Sequence, residues 1–137
     1  MQPGEFIRTI IIPRVTVSPN FVAWKVSKRL DDDISAIFAA INIRVEHGTV
    51  QHARIAFGGM AATPKRALQA EAALSGAAFN LSTLETACAA LSQDFQPLSD
   101  FRASAAYRLQ VARNLLRRYY AQASGELTIA EVTRYVS

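Results

Sequence analysis

The first half of the chain shows the two-residue alternation of apolar and polar positions that is typical of β-strands. In FVAWKVSK, residues 21–28, this alternation places Lys25 on the same face as Phe21 and Ala23. The segment EFIRTIII, which stops at Pro13, is rich in β-branched residues and predicts a further strand.

Two apolar runs, at about residues 34–46 and 50–58, predict a hairpin around the sequence EHGT. Gly48 in that turn can adopt the positive φ that tight hairpins favour. The pattern therefore predicts three or four strands, mostly antiparallel.

The second half of the chain has the longer hydrophobic period of helices. Thr63 and Pro64 are a cap residue followed by a first-turn proline, and the helix that they begin is predicted to end at Gly76. Ser82 and Glu85 have the spacing of a capping box at the start of a second helix.

The longest helix is predicted at about residues 104–124. Its apolar positions recur every three or four residues and form one stripe. The stripe consists of Tyr107, Val111, Ala112, Leu115, Leu116 and Tyr119. The tail has no clear hydrophobic period, and a short helix from Thr128 is one interpretation of its sequence.

Strands followed by helices are the pattern of an α+β fold. We expect an antiparallel three- to four-stranded sheet from the N-terminal half, packed against about three helices from the C-terminal half. No repeat or linker divides the sequence, so residues 1–137 are predicted to form a single domain.

Charge and composition narrow the function classes. The formal net charge is +4, but the cations are not interleaved with aromatic residues as in single-strand binders. The densest basic group, Arg108, Arg113, Arg117 and Arg118, is predicted to lie late in a helix, where cations favour the carbonyl end. We therefore expect no nucleic-acid partner.

Neither a membrane nor an oxidising compartment is indicated. No apolar run approaches the roughly 20 residues of a membrane span. A single cysteine, Cys88, favours a reducing compartment, which predicts the cytoplasm. Cys88 lies in a predicted amphipathic helix and is read as a packed core thiol. His47 and His52 alone make a poor metal site, so we expect no metal and no catalytic residue in this chain.

The most unusual local pattern is WKVSKRLDDDISAI, residues 24–37. Its charged residues are Lys25, Lys28, Arg29, Asp31, Asp32 and Asp33. The residue types in this stretch are compatible with two interpretations. The stretch is either a solvated, self-neutralising turn or one edge of a charged site in which the Lys25 amine faces a ligand.

Three stretches, in this order and spacing, resemble one known family. They are WKVSKRLDDDISA at 24–36, ARIAFGGMAATPKRA at 53–67 and LSQDFQPLSDFRASAAYRLQVARNLLRRYY at 91–120. Together they resemble the C-terminal domain of the FAD-binding part of molybdenum hydroxylases, the CO dehydrogenase flavoprotein type. Within this family the pattern is most like the small subunit of bacterial xanthine dehydrogenases.

The resemblance implies an α+β cap that closes over the flavin ring, with most of the FAD held by a preceding domain. It also implies a complete enzyme that hydroxylates hypoxanthine or xanthine at a molybdopterin cofactor. Electrons would then pass through [2Fe-2S] clusters to FAD and on to NAD. The implied partners are upstream FAD and [2Fe-2S] domains and a molybdopterin-binding large subunit. These domains are absent from the sequence, so the isolated chain is expected to be inactive.

Carried over by position, the resemblance assigns cofactor contacts to Lys25 and Ile7. It makes the stretch from Lys28 to Asp33 a charged loop at the side of the flavin.

Two alternative functions also fit the sequence. One is the flavoprotein subunit of an aldehyde or carbon monoxide dehydrogenase relative. The other is a subunit-assembly module, in which Tyr119, Tyr120 and Tyr135 would be exposed contacts. A homo-oligomer is left open.

Overall fold

A computed structural model gives the structure of residues 2–11, 18–29 and 34–126. Four strands precede three helices along the chain. The strands are β1 (Phe21–Val26), β2 (Ile37–Glu46), β3 (Thr49–Gly58) and β4 (Lys65–Arg66). The helices are α1 (Leu68–Leu74), α2 (Leu81–Asp94) and α3 (Ala105–Ala123). The predicted α+β class, with strands in the N-terminal half and helices in the C-terminal half, is confirmed.

All strand pairs of the sheet are antiparallel, in the order β1-β2-β3-β4. The predicted hairpin is the β2–β3 pair, and its two turn residues are His47 at φ 50° and Gly48 at φ 73°. Two successive positive φ angles match the backbone twist of the flanking strands. The positive φ predicted for Gly48 is confirmed.

One face of the sheet forms the core with the helices. Alternate residues of the two central strands are buried on this face: Ile37, Ala39, Ile41, Ile43, Ala53, Ile55 and Phe57. The helices contribute fully buried leucines to the same core: Leu74, Leu84, Leu91 and Leu116. From β1, Val22, Trp24 and Val26 pack against it. The predicted alternation of β1 is therefore confirmed, and Lys25 lies on the opposite, exposed face.

The strand predicted for EFIRTIII is wrong over the part that the structure describes. Residues 5–11 have no strand structure. The large apolar side chains in this segment, Phe6, Ile7, Ile10 and Ile11, are 66–85% exposed. Strand propensity alone does not make a strand, because each strand needs a neighbour that completes its hydrogen bonds.

The first helix does not begin at Thr63 and Pro64, so that prediction is wrong. The residues that follow Pro64 form β4 instead, and Arg66 pairs with Ala56 of β3. The predicted end is close, since α1 ends at Leu74 and Gly76 has φ 77°.

A carboxylate from α2 supplies the cap that the local sequence of α1 does not. Asp94, the last residue of α2, accepts hydrogen bonds from the backbone N–H groups of Gln69 at 2.9 Å and Ala70 at 3.0 Å. Free N–H groups at a helix start need such a partner. Because the partner is distant in sequence, the true start of α1 has no local signal.

The capping box predicted for α2 is also wrong. Asn80 is the cap residue, and its side chain accepts from the N–H of Thr83 at 2.9 Å. Ser82 lies inside the helix. Glu85 instead accepts two hydrogen bonds from Arg117 of α3, at 2.7 and 2.6 Å.

The predicted bounds of α3 are confirmed to within one residue, and Ser104 caps its start. The predicted stripe is confirmed as buried at Ala112, Leu115, Leu116 and Tyr119. Tyr107 is half exposed, so its place in the stripe is wrong. Arg108 takes the buried position in the first turn. The short helix predicted from Thr128 lies outside the described residues.

Candidate functional site

The exposed face of the sheet consists of short rows that run across the strands. Lys25 of β1 aligns with Phe38 of β2, which aligns with Gly58 of β3. The neighbouring row is made of small side chains, Ala23, Ala40 and Ala56. The third row contains Phe21, Asn42 and Arg54. A flat strip of alanines therefore lies between two aromatic side chains, with the Lys25 amine at one edge.

A shallow pocket lies over one end of this alanine strip. Its volume is about 260 Å³. It is lined by Phe21, Ala40, Asn42, Arg54, Ile55, Ala56 and Arg66. An apolar floor with guanidinium groups at the rim suits a planar ligand that carries negative charge.

Residues 27–29, directly after β1, lie against the loop that precedes α3. The Lys28 ammonium donates to the backbone carbonyl of Phe101 at 2.7 Å, and Ser27 Oγ donates to the carbonyl of Arg29 at 2.6 Å. A pocket of about 430 Å³ lies between the two segments. The structure thus brings Lys28 to this loop, while Asp31, Asp32 and Asp33 lie outside the described residues.

The predicted flavin-side residue Ile7 is not part of this arrangement. Its side chain is 66% exposed in the segment before Pro13. It does not belong to the core, nor to any strand that the structure describes. Of the predicted cofactor contacts, Lys25 alone lies on a described strand.

Arg108 is the charged residue that sequence reasoning placed wrongly. It was predicted late in a helix, yet it lies in the first turn of α3 and is 4% exposed. Its guanidinium donates to the carbonyl of Ala36, to the carbonyl of Gly59 at 2.8 Å and to the carboxylate of Asp100 at 2.7 Å. A signal existed, because Arg108 is four residues before the buried Ala112 and thus falls on the buried stripe.

Asp100 is held as a carboxylate by its surroundings. Hydrogen bonds from the backbone N–H of Ala103 and from the guanidinium of Arg108 outweigh desolvation and lower the pKa of Asp100. A lowered pKa stabilises the fold above the ordinary carboxyl pKa, and this stabilisation is lost as the pH falls through the lowered value. The Arg108–Asp100 contact therefore persists throughout the neutral range.

The other cations of the basic cluster make contacts within the chain. Hydrogen bonding to Glu85 raises the pKa of Arg117. Arg118 lies over the ring of Trp24, at 4.9 Å from its centre. Arg113 donates to the carbonyl of Cys88 at 3.2 Å. The basic side chains therefore join helices and sheet rather than forming a free stripe.

The aromatic contacts expected of an assembly module are mostly not exposed. The assembly-module alternative requires an accessible Tyr119, but this side chain is 4% exposed. Its hydroxyl donates to the carbonyl of Asn20 at 2.9 Å. Tyr120 packs against Phe79, with ring centres 5.1 Å apart. Tyr135 lies outside the described residues.

The described part of the chain contains neither a metal-binding cluster nor a membrane-spanning helix. Residues 2–11, 18–29 and 34–126 contain no cluster of three or more histidine, cysteine or acidic side chains arranged to hold a metal ion. Within the same ranges, no helix has the length and hydropathy to cross a membrane.

Cys88 is buried, as the sequence predicted, and we expect it to be inert in the native chain. Burial raises the pKa of its thiol from the ordinary 9.0 to about 11. The thiolate fraction at pH 8 is then about 100-fold lower than for an ordinary thiol. Iodoacetamide labelling, followed by mass spectrometry, should therefore be at least that much slower in the native chain than in urea.

The sign of the pH effect follows from the raised value. The unfolded chain loses the thiol proton first, so stability is full below pH 9 and falls as the pH rises toward 11. Cys88→Ala should remove this alkaline loss. Equal labelling rates in buffer and in urea would contradict the burial.

One protein family matches most of this sequence, over the residues that form the sheet and the helices. The model for the CO dehydrogenase flavoprotein C-terminal domain matches residues 22–123. The chain belongs to this family. The matched region contains Lys25, the alanine strip and the Arg108 contacts.

Individual relatives of the flavoprotein domain agree with the family match. The putative xanthine dehydrogenase FAD-binding subunit XdhB of Escherichia coli K12 is 35% identical over 100 residues, which cover 73% of this chain and 34% of that protein. The carbon monoxide dehydrogenase medium chain of Afipia carboxidovorans is 30% identical over 118 residues, covering 86% of this chain and 41% of that protein. The chain thus spans about a third of the length of the first of these relatives.

Solved structures show the same fold. Carbon monoxide dehydrogenase from Hydrogenophaga pseudoflava matches with a TM-score of 0.69 and 30% identity, over 79% of this chain and 37% of that chain. The sequence matches and the structural match therefore support the same family and the same α+β class.

Proposed function

We propose that this chain is the part of a xanthine dehydrogenase-like flavoprotein that closes over the flavin ring of FAD. The observation that carries this is the exposed sheet face, where the Lys25 amine borders a flat strip of alanines. Membership of a flavoprotein family and likeness to an FAD-binding subunit support it.

The residues on this face fit a flavin ring. A planar ring system needs a flat surface, and Ala23, Ala40 and Ala56 have no side chain beyond Cβ to obstruct its approach. Phe38 is 41% exposed and offers an aromatic side chain beside the strip. Lys25 places a cation on the same face, which suits the ring's capacity for negative charge.

Bound FAD would supply the electron transfer. The residues of the chain would orient the ring and set its electrostatic surroundings. The ammonium of Lys25 would stabilise negative charge that develops on the ring during reduction. Phe38 and the alanine strip would exclude water from the face that they cover.

The rest of the enzyme would lie in other domains. We propose upstream FAD and [2Fe-2S] domains and a molybdopterin-binding large subunit as partners, with purine hydroxylation as the reaction and NAD as the electron acceptor. Residues 1–137 would form a single domain with no activity alone. The single cysteine supports a reducing compartment such as the cytoplasm.

A carbon monoxide dehydrogenase-like flavoprotein is the second candidate. It is supported by the 30% identity with the medium chain from Afipia carboxidovorans and by the structural match to carbon monoxide dehydrogenase from Hydrogenophaga pseudoflava. Both candidates require the same flavin contact from this chain. Assays of the assembled enzyme with purines and with carbon monoxide distinguish them.

Lys25→Ala tests the proposed flavin contact. In the chain joined to its flavin-holding domain, we expect FAD to bind about tenfold more weakly. The two-electron potential should become more negative by about 30 mV, because a cation that stabilises the reduced ring is lost. Calorimetric titration gives the affinity, and dye-equilibrated reduction gives the potential.

Lys25→Arg is the matched control because it keeps the positive charge, and both values should stay near wild type. Arg44→Ala removes a cation at the other end of β2, where its partner is Glu46, and should change neither value. If Lys25→Ala leaves affinity and potential unchanged, the charged stretch is a solvated turn.

A further inference from the structure

We propose that Arg108 is a positioning residue that fixes the described residues at both ends of the charged loop (residues 28–33), which follows Lys25 closely in the chain. The effect on the flavin rests on the function proposed above. The positioning itself rests on contacts within this chain.

The guanidinium of Arg108 joins three separate segments. Its Nη1 donates to the carbonyl of Ala36 at the start of β2 and to the carbonyl of Gly59 just after β3. Its Nη2 donates to the carboxylate of Asp100 in the loop before α3. These segments are far apart in sequence, so one buried side chain holds them together.

Two of these segments border the charged loop, residues 28–33. The N–H of Ala36 donates to the carbonyl of Val26 at 2.8 Å, and this bond joins the residues on either side of the loop. Asp100 is followed by Phe101, whose carbonyl accepts the hydrogen bond from Lys28 at 2.7 Å. Arg108 therefore supports the charged loop at Ala36, beyond its end, and through Asp100 and Phe101 at Lys28, its first residue.

The third segment borders the row that contains Lys25. Gly59 directly follows Gly58, which aligns across the sheet with Phe38 and, through it, with Lys25. The carbonyl that Arg108 binds thus lies at the end of this row. Each partner of Arg108 is thus linked to Lys25 or Lys28 through one or two intervening residues.

An arginine is required because its planar fork donates in several fixed directions at once. A lysine at this position keeps the charge but donates from a single nitrogen, whereas the guanidinium donates from Nη1 and Nη2 at two separate points. Burial of a cation is costly unless it is well hydrogen-bonded. A buried arginine with three partners on three segments is therefore a geometric clamp rather than a simple charge.

Limited proteolysis with trypsin tests the clamp without any cofactor. Trypsin cleaves after lysine and arginine, and Lys28 and Arg29 are both exposed. In Arg108→Met and Arg108→Lys we expect cleavage after these residues to be about tenfold faster than in wild type, because proteolysis follows the population of open segments. Mass spectrometry locates the cut.

Asp94→Asn is the matched control, since Asp94 is also buried and polar but caps α1 elsewhere in the core. Each variant is digested at the same interval below its own Tm, so that general destabilisation cancels. Asp100→Asn is the second variant and remains informative if Arg108→Met does not fold. It should accelerate the same cleavage by a smaller factor. Cleavage no faster than in Asp94→Asn would overturn the inference.

The flavin potential separates this inference from the proposed function. In the assembled flavoprotein, Arg108→Lys should shift the potential in the same direction as Lys25→Ala, while Asp94→Asn should not. A shift in Lys25→Ala without faster cleavage in Arg108→Lys would overturn the inference and leave the proposed function standing. Faster cleavage with no shift in either variant would support the clamp and contradict the flavin contact.

Discussion

Gly59→Ala is expected to destabilise the chain by about 3–5 kcal/mol, a large fraction of a typical domain's stability. Gly59 has φ +80°, where an alanine is strained. A Cβ at this position would also lie 2.4 Å from the carbonyl oxygen of Ala36 and 3.1 Å from Nη1 of Arg108. The Ala36 oxygen belongs to the backbone at the start of β2, so it cannot move aside easily.

Urea unfolding followed by circular dichroism measures this loss. Gly76→Ala is the matched control, because Gly76 has φ +77° and a Cβ added there would meet no atom within 4 Å. It should lose roughly 1–2 kcal/mol from backbone strain alone. The difference between the two variants isolates the close approach of Gly59 to Ala36 and Arg108. Equal losses in the two variants would show that this approach is not tight in solution.

The sheet and the hairpin were predictable because their signals are local. The alternation of β1 correctly put Lys25 on one face with Phe21 and Ala23, and Gly48 marked the turn between two apolar runs. Burial on one face of a sheet fixes which residues point inward. Periodicity therefore predicted the surface that carries Lys25, although it could not predict the ligand.

The start of the first helix was not predictable in the same way. Thr63 and Pro64 have the residue types of a helix start, but the residues after them pair with β3. The carboxylate that caps α1 comes from Asp94, 25 residues beyond Gln69. A cap supplied by tertiary contact leaves no pattern in the residues around the helix start.

Arg108 shows why the sequence did not predict the buried side chain that supports the candidate site. Its position matched the buried stripe of α3, but its charge suggested a solvated surface. Buried arginines require partners, and those partners, Ala36, Gly59 and Asp100, come from three segments that meet only in the folded chain. Two of the three are backbone carbonyls, which carry no residue-type signal.

Glu71→Ala is expected to cost about 2–3 kcal/mol, mainly because it leaves a buried backbone N–H without a partner. β4 has two residues and pairs with Ala56 and Phe57, so it does not reach Ile55. The carbonyl of Ile55 accepts from the N–H of Ala67 at 2.8 Å, and its N–H donates to the carboxylate of Glu71 at 2.8 Å. Glu71 therefore takes the place of a missing strand residue at this edge of β3.

Glu71→Gln distinguishes the hydrogen bond from the charge. The amide oxygen of glutamine can still accept from Ile55, so we expect less than half of the loss seen with alanine. What glutamine does lose is the ion pair with Arg66, whose guanidinium is half exposed. Solvent around that guanidinium screens its attraction to the buried carboxylate, so the charge contributes less than the hydrogen bond to Ile55.

Glu85→Ala is the control for an exposed pair, since Glu85 also binds an arginine, Arg117, through two hydrogen bonds. Both partners are about 40% exposed, so this variant should stay near wild type in the same urea titration. If Glu71→Ala cost no more than Glu85→Ala, the N–H of Ile55 would have found another partner. The edge of β3 would then be held by β4 alone.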